Sequence, residues 1–274
     1  MNFFSALKPI LEASTPTAKA ALFEQFYAAY AQNYFSFEKT SPKEFGAPSY
    51  AKICKIVPAR DVPKRTNLTT TEGKVYLLHA IAHIEYSAID LALDICYRFQ
   101  DMPKEFYDDW LEVANDEIRH FFMLHTLLEE LGAKYGDIVV HNSLFEASQR
   151  TANSLHERLA VVPRYLEANG LDATPMILEK IKRLPKEEFF NKIIDALEII
   201  LEEEIEHVAK GDRWFEYICA KNNLPSSSYI DVINKYYPNG FAKLKKLNVE
   251  ARLEAGFSCE ELKQMTHKDV CLKN

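Results

Sequence analysis

Two Glu-x-x-His pairs constrain this chain more than any other feature. Glu117 and His120 lie in NDEIRHF, residues 115–121, and Glu204 and His207 lie in EEIEHV, residues 203–208. Each pair interrupts an apolar stripe of helical period. One stripe runs Trp110, Val113, Glu117, His120, Leu124, Leu127, Leu131. The other runs Ile193, Leu197, Ile200, Glu204, His207, Gly211, Trp214, Ile218. Steps of three and four put each set on one helix face. A third stripe, Leu78, Ile81, Glu85, Ala88, Ala92, Cys96, carries another carboxylate. Burying an unpaired carboxylate costs several kcal/mol. Three such faces converging in one core therefore require something positive between them.

The helices implied by these stripes cover residues 72–100, 104–132 and 186–222. A further helix is predicted over 143–169, ending near Asn169-Gly170, with a break at GLDATP and a shorter helix up to Arg183. Residues 2–35 read as helical, with a break or a helix start near Pro16. Residues 36–72 are rich in proline and lysine and lack periodicity, which predicts an extended arm. The expected fold class is all-α: a ferritin-like four-helix bundle with an extended N-terminal arm and additional helices. The expected organisation is an N-terminal helix and arm over 1–71, the bundle over 72–222, and a tail over 223–274.

A pair of divalent ions would satisfy the buried charges. Glu and His at i, i+3 can share one ion, and two such helices plus a carboxylate from each of two others form the ligand set of a di-iron or di-manganese bundle. No cysteine lies in line with these carboxylates except Cys96 at the far end of its stripe, so zinc held by thiolates is not expected. The predicted ligands are Glu85, Glu117, His120, Glu204 and His207, with Glu167 or Glu157 from the remaining helix. Glu167 is preferred, because it precedes Glu204 by a span close to that by which Glu85 precedes Glu117. Glu157 is read as part of a surface ion pair with an arginine. The nearby acids, Glu202, Glu203 and Glu206, are read as a charged face.

Other candidates are weaker. His79 and His83 share a face rotated away from Glu85, and one is expected to support a ligand or pack between helices. Asp116, Arg119 and Asp195 could orient ligands. Tyr86, Tyr97 and Tyr165 lie near the site in sequence and are read as core tyrosines. Cys54, Cys96, Cys219, Cys259 and Cys271 are scattered and odd in number, which predicts reduced thiols. No phosphate-binding glycine loop and no nucleophile elbow occurs. A net charge of −7 argues against broad nucleic-acid binding, and KLKK at 243–246 is one short basic run. Neither a signal peptide nor a membrane-spanning run is evident, so the expected location is cytoplasmic, without a membrane partner.

Four segments, HAIAHIEYSAIDLALD (79–94), ANDEIRHF (114–121), VPRYLEANGLDATP (162–175) and EEIEHVAKGDRWF (203–215), together resemble an uncharacterised bacterial ferritin-like family, domain-of-unknown-function family 455. RLEAGF (252–257) is a fainter echo. The resemblance implies a ferritin-like fold and a di-metal site of two iron ions, alternatively manganese, at Glu85, Glu117, His120, Glu167, Glu204 and His207. Where the family wording resembles E-A-R-G, this chain has Glu167-Ala168-Asn169-Gly170, so one arginine is absent. A more distant similarity is to di-iron hydroxylases that modify tRNA. Three functions follow as expectations: an O2-dependent oxidase or hydroxylase, a non-catalytic metal-binding or iron- and peroxide-handling protein, and a tRNA-modifying hydroxylase. The expected partners are a small-molecule or tRNA substrate and an external electron donor, with a homodimer allowed.

Overall fold

A computed structural model describes residues 1–64, 67–241 and 246–271. Its fold is all-α, as expected. Among the described residues the only β features are two isolated bridges, Asn2 with Ser36 and Ile56 with Val140. Most of KLKK, residues 243–245, lies outside the described residues. The chain forms two compact units, Met1–Glu146 and Ala147–Asn274.

The first unit is built on a helical hairpin. Helices α1 (Phe3–Glu12) and α2 (Pro16–Ala31) are followed by the arm and then by α3 (Thr71–Arg98) and α4 (Lys104–Glu130). Pro16 opens α2 from its first turn, with the Thr15 hydroxyl accepting from Ala18 N. Thr70 caps α3 in the same way through Gly73 N. Gly132, at φ +75°, follows the end of α4, where a residue without Cβ adopts the left-handed turn at no steric cost. Only five residues link α3 to α4, so the two helices fold back on each other. Phe3, fully buried, packs its ring against Phe4, Phe26, Tyr30, Phe37 and Tyr107, which ties α1 and α2 to α4.

Among its described residues the arm is irregular apart from short 3-10 turns at Ser49–Lys52 and Ala59–Asp61. Side chains from α3 and its C-terminal end anchor it. Gln100 Oε1 accepts from Thr40 N at 2.6 Å, Tyr97 OH accepts from Lys43 N at 2.9 Å, and Asp90 Oδ2 accepts from the Ser49 hydroxyl at 2.6 Å. Asp90 also meets Lys19 of α2 at 2.6 Å, and Lys19 is fully buried, donating in addition to Ile10 O. A buried ammonium is tolerable only with such partners.

The second unit corrects the predicted third helix. That segment is three helical pieces: α5 (Ser143–Arg150, which straddles the division), α6 (Leu155–Val161) and α7 (Ala168–Lys182), with a π-helical turn at Val162–Glu167 between α6 and α7. Ser154 restarts the chain as the N-cap of α6, its hydroxyl accepting from Glu157 N. Pro163 has no N–H to return to Leu159, and the helix widens there. The predicted stop at Asn169-Gly170 and the break at GLDATP do not occur. Pro175 lies inside α7, where it deprives Leu171 O of its helical donor. Asn248 Nδ2 donates to Leu171 O instead, at 3.3 Å.

Helices α8 (Glu188–Lys221), α9 (Ser228–Tyr236), α10 (Val249–Glu254) and α11 (Cys259–Thr266) complete this unit. A Cβ on Gly211 would lie 2.4 Å from Pro163 Cβ, so only glycine lets α8 approach the π-helical turn this closely. Cys259 and Cys271 form a disulfide, which corrects the expectation of five reduced thiols; Cys54, Cys96 and Cys219 are free and buried. The two paired cysteines flank α11 at its two ends, a proximity that scattered spacing in sequence does not reveal.

Candidate metal centre

In the first unit, Glu85 of α3 and Glu117 and His120 of α4 come together. They are 4 %, 0 % and 0 % exposed. His120 Nδ1 lies 3.4 Å from Glu85 Oε2 and 3.6 Å from Glu117 Oε2. Each residue offers one ligand atom, and these atoms lie within 4.8 Å of one another, a grouping that could hold a metal ion. The helix period explains it. Glu117 and His120 are one turn apart on α4, flanked along the stripe by buried Val113 and Leu124, and Glu85 sits between buried Ile81 and Ala88 on α3.

The electrostatics favour a positive charge at this place. Burial disfavours a charged imidazole at His120, but hydrogen bonding and charge from Glu117 and Glu85 outweigh it and raise its pKa to about 11. Two carboxylates around a single ring favour any positive charge placed there, whether a proton or a metal ion.

The second unit carries the other Glu-x-x-His pair. Glu204 Oε1 lies 3.8 Å from His207 Nδ1, and His207 is 1 % exposed while the Glu204 side chain is 13 % exposed. Glu167 is the last residue of the π-helical turn. That turn is held by groups distant in sequence. Tyr229 OH donates to Arg164 O at 3.0 Å. Arg164 is buried, meets Asp212 at 2.7 Å and Glu261 at 2.8 Å, and lies over the rings of Phe215, Tyr229 and Phe257. Burial raises the pKa of Asp212 to about 6, against the lowering effect of Arg164. Immediately after the turn, Arg252 donates to Ala168 O at 3.1 Å and to Asp172 Oδ2 at 2.6 Å.

The other candidates take different roles. Glu157 binds Lys235 at 2.5 Å and Tyr236 OH at 2.5 Å; its partner is a lysine, not the arginine expected. Arg119 donates to Asp116, and Asp195 is exposed. Tyr86 and Tyr97 are core residues, and Tyr165 packs on Tyr237 and Phe241. His79 and His83 both pack in the first unit. His79 Nε2 accepts from Gly136 N at 2.9 Å, and His83 bonds Tyr135 OH at 2.8 Å and His141 O at 2.7 Å. Burial lowers both to a pKa of about 4. Sequence reasoning missed Lys19 and Arg252, buried cations whose acidic partners are remote along the chain, and read Arg164 only as the arginine of a surface pair with Glu157. The quoted RLEAGF segment was the only signal for one of them.

No helix is long and apolar enough to cross a membrane among the described residues. No solved structure matches this chain. An uncharacterized protein of Haemophilus influenzae is 40 % identical over 227 residues, covering 80 % of this chain and 76 % of that protein. Residues 12–263 match the family described as "Protein of unknown function (DUF455)", a longer span than the four motif segments delimit. With that extent of match, the chain belongs to the DUF455 family.

Proposed function

We propose that this protein is a ferritin-like di-metal carboxylate protein and an O2-dependent oxidase or hydroxylase. In this reading two iron ions, or two manganese ions, bind through Glu85, Glu117, His120, Glu167, Glu204 and His207. The observation that carries it is the His120 ring, fully buried with carboxylates 3.4 Å and 3.6 Å from one nitrogen. The donors are carboxylate oxygens and imidazole without thiolate, a set that suits iron or manganese. Glu85 and Glu167 play the part of the single carboxylates, and the two Glu-x-x-His pairs supply the rest of the bundle pattern.

A bound pair of redox-active ions would supply the electrons for O2 reduction. The chain's own residues do the remainder. Glu117 and His120, one turn apart on a rigid helix, present their donors at fixed spacing. Val113 and Leu124, 1 % and 0 % exposed, continue the dry stripe on either side of this pair. Neutralising the Glu85 and Glu117 carboxylates is the electrostatic work a cation held there would do. The substrate, a small molecule or tRNA, and the electron donor come from outside the chain.

The test is elemental analysis of protein purified without chelator, beside Glu117→Ala and Glu204→Ala variants, followed by O2 uptake with a chemical reductant. About two iron or manganese ions per chain are expected, reduced in both variants. Metal without O2 uptake would favour the non-catalytic metal-binding reading. Metal content unchanged in both variants would sink the site.

A further inference from the structure

A cavity of about 480 Å³ opens in the first unit, away from the carboxylates of α3 and α4. Its walls include Val62, Pro63 and Lys64 of the arm, His79 and Ile84 of α3, and Ile138. That volume lies in the range of small-molecule pockets. His79 and Glu85 are six residues apart on α3, which places them roughly 120° apart around the helix at 100° per residue. The cavity therefore belongs to a different face from the metal centre.

His79 gives the cavity its chemistry. Gly136 N donates to His79 Nε2 at 2.9 Å and Ile138 N does so at 3.4 Å. Two backbone donors at one ring nitrogen fix the tautomer, so Nδ1 carries the proton. His79 is 1 % exposed, and its Nδ1–H has no acceptor among the described residues. His83 beside it is fully committed: its Nε2–H donates to His141 O and its Nδ1 accepts from Tyr135 OH. Among the described lining residues there is one lysine, and no aspartate, glutamate or arginine. In a chain of net charge −7, a described lining without carboxylates offers a cationic ligand no counter-charge.

We infer that this cavity binds a small organic monocarboxylate, its carboxylate taken by His79 Nδ1–H and Lys64 and its apolar body lying against Val62, Pro63, Ile84 and Ile138. Two donors match the two oxygens of a carboxylate. Among the described lining residues they are fewer than the three terminal oxygens of a phosphate monoester would take. The inference is independent of the metal reading.

The experiment uses the full chain, with ¹⁵N-labelled histidine, titrated with hexanoate and with neutral hexanamide. Hexanoate should shift the His79 ring resonances saturably, and hexanamide should bind about tenfold more weakly, because it brings no charge to Lys64. Lys64→Ala, a change at an exposed position, should weaken hexanoate about fivefold. Ala80→Phe, which fills the cavity from its wall, should abolish the shifts while thermal unfolding confirms that the variant folds. Absence of any His79 shift, equal binding of acid and amide, or hexanoate shifts that survive in a folded Ala80→Phe variant would each overturn the inference.

Discussion

His120 of α4 reaches across to Glu85 of α3, with 3.4 Å between Nδ1 and Oε2. This contact joins the two helices of the hairpin by charge, beside Glu117, at a point where the flanking positions of both stripes are apolar. A metal ion bound there would have to compete with a proton for the ring.

That competition is measurable. The folded pKa of His120, about 11, lies above the ordinary 6.5. Its contribution to the stability of metal-free protein is therefore complete below pH 6.5 and is lost as pH rises towards 11. A metal ligand must be a neutral imidazole, so loading displaces the proton. Adding Fe(II) anaerobically to metal-free protein at pH 8 is expected to release protons, measured in a pH-stat, and the release should disappear in His120→Ala. A metal-loaded protein should also lose less thermal stability than the metal-free form between pH 7 and 10. Metal uptake with no proton release would contradict the charge state of the ring.

The two buried histidines of the arm-side face act in the opposite direction. His79 and His83 have pKa values lowered by burial from 6.5 to about 4. The unfolded chain binds their protons first, so the stability they allow is complete above pH 6.5 and is lost progressively down to about pH 4. At full effect the loss approaches about 3 kcal/mol for each ring. Urea unfolding at pH 7, 5.5 and 4.5 should show a steeper acid loss in the wild type than in His79→Gln, whose amide oxygen can still accept from Gly136. Identical slopes would mean that His79 is not held neutral.

Arg252 and Asp172 form a buried pair, 1 % and 7 % exposed, with 2.6 Å between Nη2 and Oδ2. Removing one partner of such a pair typically costs about 3–5 kcal/mol, because the other is left charged and buried. Arg252→Ala is expected to lose stability in that range, and Arg252→Met/Asp172→Leu to recover much of it. Chemical denaturation of the two single variants and the double variant gives the coupling. If the single and double variants lose stability additively, the pair does not hold this segment.

The disulfide has a direct chemical readout. Alkylation of denatured, unreduced protein should modify Cys54, Cys96 and Cys219 only, and reduction should expose Cys259 and Cys271. Its short loop, spanning a sequence separation of 12, predicts that reduction lowers stability by about 2–3 kcal/mol. Five alkylated cysteines without reduction would exclude the bridge in solution.

How much of this was legible beforehand divides by the range of the forces involved. Helices α3, α4 and α8 were readable because their apolar stripes keep one period and their ends carry local signals, such as Thr70 and Gly132. Glu85, Glu117 and His120 could be named because each interrupts such a stripe. The segment around Glu167 was misread. Asn169-Gly170 and Pro175 are sound local stop signals, and they are overridden by Asn248 and Arg252, whose bonds cross 77 and 84 residues of chain. Lys19 was invisible for the same reason: its partner Asp90 is 71 residues away. Local periodicity reports which face is buried and cannot report what a remote segment will bring to it.

The donation from Asn248 to Leu171 O has a consequence in time. During synthesis the amino-terminal hairpin is complete long before residue 248 exists. The carbonyl that Pro175 strands must then wait, hydrated, for a group near the carboxyl end. The stretch behind Glu167 is thus among the last parts of the chain able to settle, whatever the intrinsic speed of helix growth. Stalled nascent chains ending before residue 248 should show a protease-sensitive segment near residue 171 beside an already protected hairpin. Chains released at full length should show both protected.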